Sequence, residues 1–129
     1  MLKRPIQVSL GAADFPTTIS ARGHVTYSDE PIDRGGQDTG PEPMELLLAS
    51  LGACTAITLR MYARRKGWRL DRCVLELGFD PDQKQLVRVT LICEGDLSDA
   101  QRIRLLQIAN ACPVHKLLSN GMMIDSQLK

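Results

Sequence analysis

Between Pro5 and Ser28 apolar and polar positions come close to alternating: Ile6, Val8 and Leu10, then Thr17, Ile19, Val25 and Tyr27. Strand side chains point to opposite faces in turn, so this pattern predicts two or three antiparallel strands over residues 5–12 and 16–28. Ala21-Arg22-Gly23 is the turn or bulge between them. Residues 29–43 are rich in Pro and Gly and read as a loop. It is long for a structureless connection, which suits a functional or subunit-wrapping role. The pattern then turns helical from Met44 to Lys66. Pro43 sits near the first turn, Glu45 complements the positive end, and Arg64-Arg65-Lys66 before Gly67 closes the helix. Through Leu59 this helix is apolar on nearly all sides, the mark of a helix surrounded by protein. Ala49, Ser50, Gly52 and Ala53 leave room for neighbouring backbone, and so long a covered helix in so short a chain points to a partner subunit.

Alternation returns at residues 72–79 (Cys73, Leu75, Leu77, Phe79) and 85–94 (Leu86, Val87, Val89, Leu91, Cys93) around Asp80-Pro81-Asp82, which predicts a β-hairpin. Ser98 caps a second helix over about 99–110, with Ile103, Leu106 and Ile108-Ala109 expected to face the core. Cys112 follows, Pro113 starts a short helix ending near Asn120-Gly121, and a last strand is expected over about 122–127. The order βββ-α-ββ-αα-β is an α+β fold, helices against antiparallel sheet, in a single domain over residues 1–129.

Composition narrows the function classes. With 43% hydrophobic and 24% charged residues the chain reads as globular rather than disordered. Sixteen basic residues against fifteen acidic leave +1, with no long basic block, so nucleic acid is not an expected partner. The apolar run Leu46–Leu59, bounded by Glu45 and Arg60, is too short to span a bilayer and suits a core helix. Met1-Leu2-Lys3-Arg4-Pro5 leads straight into the alternating segment without the apolar centre of a signal peptide. The cytoplasm is therefore the expected compartment, and the four cysteines are expected as thiols. Cys54, Cys73, Cys93 and Cys112 contain no CxxC and have only His24 and His115 to assist them, so neither a metal nor another cofactor is expected.

Two of the cysteines carry the chemistry. Cys54 lies in the middle of the apolar helix, and Cys112 opens the segment Cys112-Pro113-Val114-His115-Lys116. A mid-helix thiol shielded from large reductants, with a second thiol placed to capture its oxidised form, is how a two-cysteine redox centre is built. Cys54 would be inert unless a cation lowers its pKa, and helix residues before Arg60 supply none. Cys112 sits at a helix start, where free N–H groups favour a thiolate, with His115 and Lys116 one turn on. Cys73 and Cys93 fall at alternating strand positions and read as packing residues; His24 reads as a surface or edge-strand residue and His115 as solvent-facing.

The run Gly40-Pro41-Glu42-Pro43-Met44-Glu45-Leu46-Leu47-Leu48-Ala49-Ser50-Leu51-Gly52-Ala53-Cys54, continued to Ala63, resembles the central-helix motif of the OsmC/Ohr family. Cys112-Pro113-Val114-His115-Lys116-Leu117-Leu118 resembles that family's second-cysteine motif, and Ser28-Asp29-Glu30-Pro31 with Gly35-Gly36 matches an OsmC-like branch. The resemblance spans about residues 20–128. It implies antiparallel sheets around a long buried central helix, in an intertwined homodimer with active sites at the subunit interface. It also implies reduction of organic hydroperoxides, with Cys54 the peroxidatic thiol, Cys112 the resolving thiol, and a dithiol or thiol protein as reductant. The family adds an arginine that stabilises the thiolate and a glutamate that orients the arginine. Arg34 has the OsmC-branch spacing to Cys54 and is preferred over Arg22, which follows a strand as in the Ohr branch. The family's glutamate position holds Met44 here, and Glu45 stands one place later, about 100° round the helix.

A second reading keeps the same dimer as a binding protein that holds an apolar ligand in its cleft, with the thiols vestigial or regulatory. A Cys112–His115 hydrolase is the weakest alternative, since neither an orienting residue nor an oxyanion motif accompanies it.

Overall fold

A computed structural model describes residues 2–129. The fold is α+β, in two compact units that meet in sequence at Leu47 and Leu48.

The first unit holds a three-stranded antiparallel sheet of β1 (Gln7–Leu10), β2 (Thr17–Ala21) and β3 (His24–Ser28), in that order. Arg22 and Gly23 form the tight β2–β3 turn, both at positive φ (53° and 88°), as a two-residue hairpin turn matched to strand twist requires. His24 lies exposed on edge strand β3, as expected. The Pro/Gly-rich loop that follows is ordered around one carboxylate. Asp29, only 3% exposed, accepts from the N–H groups of Glu30 (2.7 Å), Gln37 (3.2 Å) and Thr39 (3.1 Å), and from the Thr39 hydroxyl (2.7 Å). Those donors, led by the Thr39 hydroxyl, hold its carboxyl below the usual range. The loop closes so tightly that a Cβ on Gly36 would stand 1.8 Å from the Glu30 carbonyl oxygen. A 3-10 turn at Ile32–Arg34, not foreseen from sequence, lies inside it.

Helix α1 (Pro43–Lys66) begins in this unit and continues through the second. It ends where expected: Gly67 takes a left-handed φ of 70°, its N–H bonds the Arg64 carbonyl, and the Trp68 N–H bonds that of Ala63 at 2.8 Å. The helix is not enclosed as its composition suggested. It buries Leu51, Gly52, Thr55, Leu59, Tyr62 and Ala63. On the opposite side Ile57 and Met61, one turn apart, are 60% and 67% exposed. Within the second unit a single sheet and helix layer packs on this helix, and it covers one face. By length and composition α1 could also cross a membrane, but Leu59 and Ala63 pack into the protein core.

In the second unit β4 (Arg72–Phe79) and β5 (Val87–Glu94) form the expected hairpin, with Cys73 opposite Cys93 and Leu75 opposite Leu91. Asp80 organises its turn by accepting from the N–H groups of Asp82 and Gln83, both at 2.9 Å. α1 meets this sheet at Gly52, where a Cβ would stand 2.9 Å from Leu77 Cδ1. Ser98 caps α2 (Asp99–Ala109) in a reciprocal box with Gln101: Ser98 Oγ accepts from the Gln101 N–H (3.1 Å) and Gln101 Oε1 from that of Ser98 (2.9 Å). The core face of α2 differs from expectation at two positions. Leu105 is fully buried, with Ile108 and Ala109 beside it, whereas Ile103 and Leu106 are 61% and 58% exposed. Leu105 sets the buried stripe at helical spacing, and 103 and 106 fall outside it.

α3 (Pro113–Asn120) forms as expected. The strand expected over 122–127 does not: residues 121–129 take no regular structure, and Met123 and Ile124 are 100% and 83% exposed. A strand needs a neighbour for its N–H and C=O groups, and among the described residues the segment pairs with none.

Candidate active site

The second unit brings Cys54 and Cys112 together. Cys54 stands midway along α1 and Cys112 is the N-cap of α3, where Pro113 pre-sets the first helical turn. The Cys112 sulfur accepts from the His115 N–H at 3.3 Å, and the Thr55 hydroxyl lies 3.6 Å away on its other side. Thr55 is itself buried and bonds the Leu51 carbonyl at 2.9 Å, which fixes its rotamer. Cys112 has no exposed surface, whereas Cys54 is half-buried, the reverse of the expected shielding.

The two thiols are neighbours, and their environments push them apart in acidity. Burial raises Cys54 against the Val114 N–H, the next-largest influence; the neighbouring Cys112 sulfur adds to the rise and the Thr58 hydroxyl opposes it. At Cys112 burial also works against ionisation, but the His115 N–H, the Thr55 hydroxyl, the Cys54 thiol and the Val114 N–H together outweigh it and bring the pKa down. Within this unit Cys112 is therefore the more acidic of the two thiols. Thr55 was not singled out from sequence; a hydroxyl one residue after a candidate thiol, on the same helix turn, was the available signal.

In the first unit Arg34 closes the 3-10 turn, and its Nη1 bonds Glu42 Oε2 at 2.9 Å, with Glu30 Oε2 at 3.7 Å. Glu45 does something else: its Oε1 accepts from the Glu42 N–H at 3.0 Å and caps the start of α1. Arg22, the alternative arginine, sits exposed in the β2–β3 turn. Glu42 is thus the carboxylate that holds Arg34, a residue the sequence reading passed over because it lies just outside the helix.

Beside the Cys112 cradle, Thr55 and His115 border a cavity of about 240 Å³ walled by Leu75, Val87, Leu91 and Leu106. His115 is half-buried there rather than solvent-facing. Among the described residues no three of His, Cys, Asp and Glu gather at metal-binding distance.

The chain is similar in fold to solved structures across most of its length. A Psychrobacter arcticus protein provisionally called an osmotic stress induced and detoxification response protein matches with a TM-score of 0.76 at 21% identity, over 90% of this chain and 88% of that one. An OsmC-like protein from Mycoplasma pneumoniae matches with a TM-score of 0.75 at 17% identity, over 92% and 88%. An organic hydroperoxide resistance protein from Legionella pneumophila matches with a TM-score of 0.54 at 15% identity, over 90% of both. No curated protein matches the sequence. The family model for OsmC-like proteins matches residues 36–127, which contain both thiols, and the chain belongs to that family.

Proposed function

We propose that the protein reduces small organic hydroperoxides by a two-cysteine mechanism. The observation that carries this reading is the Cys54–Cys112 pair, two neighbouring thiols at the middle of α1 and the start of α3 that shift each other's acidity. The Cys54 thiolate attacks the peroxide O–O bond, becomes a sulfenic acid and releases the alcohol. Cys112 then attacks the Cys54 sulfur, water leaves, and the resulting disulfide is reduced by a dithiol or thiol protein. A relative of known structure is named for organic hydroperoxide resistance, which agrees with a redox role.

The first step needs the charge on Cys54, whereas the groups around the pair favour ionisation of Cys112. Arg34 is the proposed cation that reverses this on substrate binding, with Glu42 positioning its guanidinium. Glu45 supports the same segment by capping α1 rather than by holding the arginine. The uncovered apolar face of α1 at Ile57 and Met61, and the unpaired segment with Met123 and Ile124, support a homodimer in which a second copy covers both. The reading places the protein in the cytoplasm.

The aliphatic cavity next to Thr55 and His115 favours one alternative, a protein that binds an apolar ligand. Steady-state consumption of cumene hydroperoxide with dithiothreitol separates the two. The peroxidase reading predicts turnover that Cys54→Ser abolishes, while Cys112→Ser allows one oxidation and then stalls with overoxidised Cys54. Full multiple turnover by Cys54→Ser would refute it, and no consumption by the folded, reduced protein would favour the binding protein.

A further inference from the structure

Cys73 and Cys93 are the other two thiols of the chain, and the hairpin places them directly opposite one another. Both lie on the face of β4–β5 that packs towards Leu59, Leu70 and Leu105. Directly opposed residues of an antiparallel pair have Cα atoms roughly 4.5–5.5 Å apart and side chains on one side of the sheet. That spacing lies inside the range of roughly 4.4–6.8 Å that a disulfide accepts without moving backbone. The two thiols stand near enough that each shifts the other's acidity. The same register opposes Leu75 to Leu91 and Leu77 to Val89, so two further aliphatic side chains would complete this face as pure packing.

Each sulfur also borders a surface cleft with a guanidinium in reach. Cys73 lines one of about 370 Å³ with Ile57, Arg60 and Met61. Cys93 lines another of about 290 Å³ with Arg102, Ile103 and Leu106. Arg102 is held there by bonds to the carbonyls of Cys93 and Gly95. The Cys93 cleft does not include the Ile57–Met61 face, and through it a small disulfide can approach Cys93 from outside the core.

We propose that Cys73 and Cys93 form a second dithiol couple, which closes to a cross-strand disulfide by exchange with small-molecule disulfides, independently of Cys54 and Cys112. Cys93 reacts first: burial raises both thiols, but at Cys93 the Cys73 thiol and Arg102 partly offset it, whereas Cys73 is pushed up to about 11. The Cys93 thiolate attacks one sulfur of R–S–S–R; that bond breaks, and RS⁻ leaves with the electron pair and takes up the proton Cys93 lost. The Cys73 sulfur, giving up its own proton, then attacks Cys93 Sγ in the mixed disulfide. The second RS⁻ leaves and takes that proton. Two protein thiols are oxidised and R–S–S–R is reduced to two RSH.

Trypsin separates the four cysteines into peptides 35–60, 73–84, 89–102 and 105–116, so every pairing has its own mass. The reduced full chain and its Cys54→Ser/Cys112→Ser variant are equilibrated with oxidised glutathione in native buffer, alkylated, digested and weighed. The proposal expects the linked 73–84/89–102 species in both proteins, to within about twofold, with its loss on adding dithiothreitol. Should the double variant fail to fold, the same species in the wild type decides. Recovery of Cys73 and Cys93 as separate alkylated or glutathionylated peptides overturns the proposal, as does a link that appears only in urea.

Discussion

The Thr55 hydroxyl lies 3.6 Å from the sulfur of Cys112, tying the buried face of α1 to the N-cap of α3 beside Cys54. Thr55 shares its one proton between the Leu51 carbonyl and this sulfur, and with the His115 N–H it favours a lower Cys112 pKa. Thr55→Val keeps the side-chain shape and removes that donor. It should raise the Cys112 pKa, read from the pH dependence of iodoacetamide alkylation at peptide 105–116. The loss of a buried hydrogen bond should cost about 1 kcal/mol in urea unfolding.

Glu42 and Arg34 offer a clean separation of function from stability. Their 2.9 Å pair leaves the arginine side chain 62% exposed, so Glu42→Gln should change stability by less than about 1 kcal/mol. If Glu42 positions the cation for Cys54, kcat/KM for cumene hydroperoxide should nonetheless fall roughly tenfold or more. An unchanged rate would remove Glu42 from the site.

Stability should fall at alkaline pH through Cys73. Burial raises its pKa to about 11, against roughly 8.5 in an unfolded chain. The folded state holds that proton more tightly, so the contribution is complete below the unfolded value and is lost as pH rises through the folded one. Urea midpoints of the reduced protein should decline between those values, and Cys73→Ala should flatten the decline.

Leu105 has no exposed surface and centres the contact of α2 with Leu59 and Tyr62. Leu105→Ala should destabilise by about 2–5 kcal/mol, measured by urea unfolding. Leu106→Ala, one residue on but largely exposed, should cost far less.

Much of this was legible in the sequence because it is local. The hairpin register, the Ser98 cap, the Gly67 stop and the Cys112-Pro113 helix start each depend on a few neighbouring residues. What sequence periodicity could not supply was which side of an apolar element finds cover. α1 is apolar all round yet covered on one face, and α2 chooses Leu105 over Ile103 and Leu106. The tail around Met123 and Ile124 has a strand's composition but, among the described residues, no partner strand. At the site, both cysteines were visible as motifs, but the donors that divide their acidity come from Thr55, His115 and Val114, and the carboxylate on Arg34 comes from Glu42.

The most direct test adds one equivalent of cumene hydroperoxide to the reduced protein without reductant, then alkylates, digests and quantifies the alcohol. The two-cysteine account predicts one cumyl alcohol per chain and a link between peptides 35–60 and 105–116, which carry Cys54 and Cys112. Intact peroxide with both thiols recovered alkylated would contradict it.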